Sequence, residues 1–174
     1  MAEPFIFPSL NTERLLLRTF EKDDLEPFAA MVSNLEVMQR ATYDGNTMTR
    51  TQAWNWLCFM LGHWHMRGFG IWGIEEKSSG ELIGRTGLQF WDCLEDVELV
   101  WMLAKSAWGK GFALEGARAA IDHGLNTLAL PRIVAVIHQE NKPSIRLAER
   151  LGMEMEKEVE RQEILFYQYV IKGK

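Results

Sequence analysis

Residues 97–114, VELVWMLAKSAWGKGFAL, constrain this chain more than any other stretch. An apolar run of strand length enters a turn built on two glycines, and the turn opens a helical pattern. Ala113, Ala117, Ala120, Ile121 and Leu125 recur at the spacing of one helix face, so that helix packs on a sheet. Gly109 and Gly111 remove the side chains that would hold a ligand's phosphates off the backbone. The first turn of the following helix offers N–H groups without intrahelical partners and the positive end of the helix dipole. Together these features make a cradle for an anion such as a pyrophosphate.

Two familiar phosphate-binding arrangements do not fit. A P-loop needs Gly, four residues, then Gly-Lys-Ser/Thr, whereas here Lys110 lies between the glycines and Phe112 follows. A dinucleotide fingerprint needs a third glycine where this chain has Leu114. A GxG turn by itself would serve a purely structural turn equally well.

A second motif supplies the missing specificity. The β-branched run RIVAVI (132–137) reads as a strand buried on both faces. It leads into His138-Gln139-Glu140-Asn141-Lys142-Pro143-Ser144. Asn141 is a plausible N-cap, Pro143 falls in the first turn of a helix, and Gly152 ends that helix after Leu151. With this order of strand, GxG turn, helix, strand and Asn-x-x-Ser, the chain resembles the GNAT N-acetyltransferase superfamily. WGKGFALEGARAAIDHGL, the opening TERLLLRTFEKDDLEPFAAM and the helix-ending ERLGM are similar to the branch of ribosomal-protein N-terminal acetyltransferases (RimJ/RimL-like). The resemblance spans roughly residues 12–171 and is most specific over 98–153.

Composition agrees with a compact enzyme. A chain of 174 residues fits one domain, 1–174, and can bury about 70% of its unfolded surface. No segment approaches the ~20 consecutive apolar residues of a membrane span, and no signal-peptide pattern opens the chain. Cys58 and Cys93 lack metal-ligand spacing and read as reduced thiols, which points to a cytoplasmic protein without a metal. A net charge of −5 argues against non-specific nucleic-acid binding and weakly favours a basic acceptor. Monomer and homodimer are both compatible with the sequence.

Along the chain, 13–18 reads as a first strand, a helix follows Asp23 and Asp24 to about Val32, and the polar stretch 39–48 reads as loop. Thr49 and Gln52 have capping-box form at the start of a helix to about Met66. Strands 69–76 and 81–90 flank a hairpin turn at Lys77–Gly80. Strand 97–103, helix 112–127 and strand 132–137 form a parallel pair with a crossover. Two closing strands, 153–159 and 163–171, meet at a turn near Glu160 and Arg161. The fold class is α+β. The resemblance implies a GNAT-like, mixed, seven-stranded twisted sheet with helices on both faces.

The chemistry implied by the resemblance is direct attack of an amine on the thioester of acetyl-CoA, a cosubstrate. The pyrophosphate turn maps onto Ser106 to Ala113, with Trp108, Gly109, Lys110, Gly111, Phe112 and Ala113 as cofactor-binding residues and main-chain amides as the binding groups. Trp101, Met102 and Leu103 are expected to pair with the pantetheine arm like an added half-strand, and Asn141 to hold it from the other side. Amides near Trp101 and Met102 are the natural oxyanion donors. Glu98 shares its strand face with Val100 and Met102, where an acid is costly unless paired or used. It is the candidate base, through water, and the alternative is a structural ion pair to an arginine such as Arg85. Many relatives place a tyrosine four residues beyond Ser144, where this chain has Ala148. Ser144 is therefore the candidate for stabilising the departing thiolate, against a merely helix-capping role.

Other features read as packing. His63 and His65 point to different helix faces and suit no single metal. His138 is a core histidine or a proton shuttle. Trp54, Trp56 and Trp64 share one helix, so most are core while one or two line the acceptor pocket. A free α-amine is easier to deprotonate than a lysine by roughly 3 kcal/mol, from reference pKa values of ~8 and ~10.4. The expected acceptor is therefore a protein or peptide N-terminus. A small-molecule amine is the alternative, and a non-catalytic acyl-CoA-binding module stands beyond that.

Overall fold

Leu15 and Leu17 alternate with half-buried neighbours along β2 (Leu15–Arg18) and are fully buried, so that face of the strand must be covered. The covering pattern repeats across a mixed sheet in a computed structural model that describes residues 7–42, 44–90, 96–161 and 163–173. The other strands are β1 (Leu10–Asn11), β3 (Ile71–Glu76), β4 (Glu81–Gln89), β5 (Glu98–Leu103), β6 (Arg132–His138), β7 (Glu154–Arg161) and β8 (Ile164–Lys172). Their order is β1-β2-β3-β4-β5-β6-β8-β7. Only β5 and β6 run parallel, and α4 (Phe112–Asp122) makes the crossover between them.

The helices divide between the two faces. On one, α4 and α5 (Lys142–Arg150) bury Phe112, Ala117, Ile121 and Ala148 against Leu99, Leu103, Ile133 and Ile137. On the other, α1 (Leu25–Val32), α2 (Leu35–Ala41) and α3 (Arg50–Arg67) cover Ile71, Leu82 and Met102 with Phe28, Met38, Leu57 and Met60. Trp64, at the end of α3, is fully buried; its indole N–H donates to the carbonyl of Ile71 at 3.0 Å, and its ring stands edge-on to Trp72. His63 is equally committed. One ring nitrogen, Nδ1, lies 2.8 Å from the carbonyl of Phe69, and Nε2 accepts from the Phe90 N–H at 3.1 Å, which makes His63 a clip between α3 and β4.

The fold is the mixed α+β sheet expected, with four differences of detail. The sheet has eight strands rather than seven, because Leu10 and Asn11 pair with Leu17 and Leu16, and two residues are too few to show an alternation. The expected loop at 39–48 begins only at Thr42: Asn34 caps α2 by accepting from the N–H groups of Glu36 and Val37, and Val37 and Met38 are buried beneath it. The helix expected over 112–127 widens after Asp122 into a π-turn, with Leu128 N–H donating to the His123 carbonyl. Gly124 there sits so close to Ile133 and Leu88 that a Cβ would lie 2.7 and 2.9 Å from them. The last hairpin turns after Arg161, because Ile164 pairs with Arg161 and Leu165 with Glu160, extending both strands. Cys58 is a free, exposed thiol, and Cys93 lies outside the described residues. No described helix is long and apolar enough to cross a membrane.

Candidate active site

β5 and β6 pair through Glu98 and Val134 alone, at the start of both strands, so the sheet opens beyond that point. Two helix N-termini close on the opening. From β5 the chain passes through Lys105–Ala107 to the glycine turn and α4, and from β6 through Gln139 and Glu140 to α5. Both glycines of the turn adopt the left-handed conformation, Gly109 at φ 76° and Gly111 at φ 84°, which a residue with a Cβ reaches only at a cost. Gly111 is the N-cap of α4 and brings no side chain to it, so the amides of the first turn remain available to a ligand.

Arg14 braces this turn from β1–β2. Its guanidinium pairs with Glu115 at 2.6 Å, donates to the Lys110 carbonyl at 2.9 Å and lies 4.7 Å from the Phe112 ring centre. Burial works against ionisation of Glu115, but hydrogen bonds from Thr12 and Arg14 and the Arg14 charge outweigh it and hold the carboxyl below its usual range. Nothing local to the glycine motif signals this brace, which depends on a residue about a hundred positions away in sequence.

The N-terminus of α5 is fixed by Asn141. Its side-chain oxygen accepts from the Ser144 N–H at 3.2 Å, and its amide nitrogen donates to the Arg40 carbonyl at the end of α2, 2.6 Å away. That places the Ser144 hydroxyl against β5, where it accepts from the Trp101 indole N–H at 3.1 Å. Trp108 donates its indole N–H to the Leu103 carbonyl at 3.0 Å and carries the Arg40 guanidinium 4.5 Å above its ring.

A cavity of about 490 Å³ fills this region. Every residue expected to bind cofactor lines it (Trp101, Met102, Leu103, Trp108, Gly109, Gly111, Phe112, Ala113, Asn141 and Ser144) except Lys110, whose carbonyl is taken by Arg14. Arg40, Arg146 and Arg150 also line it, and sequence reasoning did not single them out. Arg146 and Arg150 stand four apart on α5, the spacing that puts two side chains on one helix face, and this was the available signal. Three guanidinium groups around open helix amides suit a polyanion such as the phosphates of coenzyme A. The fit is good.

A second cavity of about 330 Å³ lies on the other side of the opening. Arg40, Ala41, Trp101, Asn141 and Ser144 line both, so the two cavities meet at the Trp101–Ser144 contact. Its walls include Trp56 and Phe59 of α3, His138, Phe166, Arg85, Gln89 and Glu98. Glu98 is buried and accepts from the Gln89 amide at 2.9 Å, a contact set by the Gln89–Glu98 register of β4 and β5. Arg85 is buried beside it, its guanidinium 4.6 Å over the Trp56 ring. Burial pushes Arg85 down to about 10, while the Glu98 charge acts in the opposite sense. His138 stands edge-on to Phe166 and accepts the Glu140 N–H at its Nδ1. Ala148 is fully buried, so the position where many relatives carry a tyrosine faces packing.

Comparison with known proteins identifies the family and the fold. A family model described as an acetyltransferase (GNAT) domain matches residues 14–154. YoaA of Bacillus subtilis, named as an uncharacterised N-acetyltransferase, is 32% identical over 153 residues, covering 87% of this chain and 85% of that protein. The crystal structure of an acetyltransferase from Agrobacterium tumefaciens superposes with a TM-score of 0.81 at 30% identity, covering 97% of this chain and 98% of the other. RimL, a ribosomal α-N-protein acetyltransferase solved in complex with coenzyme A, shares the fold at a TM-score of 0.81 and 15% identity over 95% and 98% of the two chains.

Proposed function

The chain belongs to the GNAT acetyltransferase family and is an acetyl-CoA-dependent N-acetyltransferase; on that premise we propose that its acceptor is the α-amine of a protein or peptide N-terminus. Acetyl passes directly to the amine in a ternary complex. The observation that carries this reading is the meeting of two cavities at Trp101, Asn141 and Ser144, one walled by glycine amides and arginines and the other by Glu98. One holds the cofactor, the other the amine, and they share the reacting position. The fold likeness to RimL, an α-N-protein acetyltransferase, and the RimJ/RimL-like motifs support an α-amine over a lysine. A small-molecule amine is the second reading, favoured by the modest size of the acceptor cavity.

The amides of Gly109, Gly111, Phe112 and Ala113 hold the pyrophosphate, with Arg40, Arg146 and Arg150 as countercharges. Bound acetyl-CoA supplies the activated carbonyl carbon. Glu98 takes the amine proton through water, and backbone N–H groups near Trp101 and Met102 receive the developing oxyanion. The Ser144 hydroxyl accepts from Trp101 and so keeps its own proton to offer the departing sulfur. The new N–C bond replaces the C–S bond, CoA leaves as a thiolate that accepts the Ser144 hydrogen bond, and the amine proton taken up by Glu98 passes through water to give the free thiol. On this reading the chain works as one domain in the cytoplasm, as monomer or homodimer.

Thermal unfolding with acetyl-CoA, and with ATP and NAD as controls, tests the cofactor assignment. At a ligand concentration 100 times Kd the stabilisation is ~2.7 kcal/mol, a rise in midpoint of roughly 5–10 °C. Release of free CoA with peptide and small amines then tests the acceptor. A shift with a nucleotide and none with acetyl-CoA would overturn the reading.

A further inference from the structure

The acceptor cavity contains a charge that the transfer chemistry does not use. Arg85 projects from β4 opposite Met102, on the sheet face that also carries Gln89 and Glu98. It is only 6% exposed, and its Nε has no hydrogen-bond partner among the described residues. A buried guanidinium left short of acceptors is costly, and such groups persist where a partner completes them. The Trp56 ring lies against one side of the guanidinium, its centre 4.6 Å from Cζ, and the Nε without a partner is left for an oxygen acceptor such as a carboxylate.

Local charge points the same way. Among the described residues, the ionisable side chains lining this cavity are Arg40, Arg85, Glu98 and His138. Arg40, shared with the first cavity, answers the cofactor's phosphates, so Arg85 is the cation that belongs to this cavity alone among the described residues, inside a chain whose net charge is −5. A simple polyamine or lysine side chain would meet that field unfavourably. An amine that also carries a carboxylate would not.

Resting on the acetyltransferase reading above, we infer that Arg85 is an acceptor-specificity residue that pairs with a carboxylate borne by the substrate a few bonds from its reacting amine. Two sources present that chemistry: a free amino acid, through its α-carboxylate, and a peptide whose N-terminal residue is Asp or Glu, through its side chain. Arg85 does not touch the reacting atoms. Its effect is on which amine is held, not on proton removal.

The test compares matched acceptors by CoA release: aspartyl against asparaginyl peptide amides, and free amino acids against their amides. At least one acidic member is expected to exceed its neutral isostere at least tenfold in kcat/KM. Preference within the peptides identifies the side chain as the carboxylate, and preference within the amino acids identifies the α-carboxylate. In Arg85→Gln that ratio is expected to fall towards one, and Arg85→Lys is expected to restore part of it. A change in Glu98 basicity would lower both members of a pair equally, so the ratio isolates recognition. Equal turnover within every pair by the unaltered protein, or turnover of no member of any pair, overturns the inference without any variant having to fold. Stabilisation by acetyl-CoA is read separately: if it persists while the ratios stay at one, this inference fails and the cofactor assignment stands.

Discussion

The indole N–H of Trp101 donates to the hydroxyl of Ser144 at 3.1 Å, and this bond joins β5 to α5 across the opening in the sheet. The two residues stand on the wall shared by both cavities. Because an indole nitrogen only donates, Ser144 must accept here, and its own proton is directed elsewhere. Ser144→Ala removes that proton and is expected to lower kcat at least tenfold, about 1.4 kcal/mol of transition-state stabilisation. Trp101→Phe keeps the serine but frees its orientation and should cost less. A steady-state comparison in which Trp101→Phe is the more damaging, or Ser144→Ala is neutral, contradicts the assignment.

Glu98→Gln separates charge from shape. The Gln89 amide can still donate to the new side-chain oxygen, so the melting temperature should stay within a few degrees. Turnover is expected to fall by more than tenfold, with the loss in kcat and not in the KM for acetyl-CoA. Unchanged turnover would remove Glu98 as the base.

Gly111→Ala probes the cradle. At φ 84° an alanine pays about 1–2 kcal/mol, and its Cβ would also stand 3.4 Å from the Arg14 guanidinium. Gly109→Ala meets nothing within 4 Å and carries the conformational cost alone. Acetyl-CoA affinity by calorimetry should fall in both, and more in Gly111→Ala, because its distortion reaches the Arg14 brace of the turn.

Acid stability should reflect His123. Burial lowers its pKa, with the nearby Asp122 charge opposing, and the ring stands edge-on to Trp72. The unfolded state, at about 6.5, therefore binds the proton more readily than the folded one. Stability is complete above about pH 6.5 and is lost as pH falls through the lower folded value. Glu115 acts in the same sense at more acidic pH, its contribution present above about 4.3 and lost as pH falls through its depressed value. Melting temperatures of His123→Phe should lose the upper slope and keep the lower one.

The glycine turn, the Asn141 cap and the succession of strands along the chain from β2 onward were legible in the sequence because each rests on local physics: turn conformations that need glycine, a cap three residues before its amide, and periodic burial. Glu98 stood out as an acid on an apolar strand face, whereas Ser144 was singled out through the family resemblance. α2 was hidden behind its polar end at 39–41, although Asn34 ahead of Val37 and Met38 was a usable sign. What only the tertiary structure decided was which residues meet. Arg14 reaches the turn at Lys110, Arg40 joins Asn141, and Trp56 lies against Arg85, each pair brought together by packing between elements distant in sequence. The division of the opening into two cavities that meet at Trp101 and Ser144 follows from β5 and β6 parting after a single bridge. Such a parting depends on what each strand packs against, so no pattern within either strand reveals it.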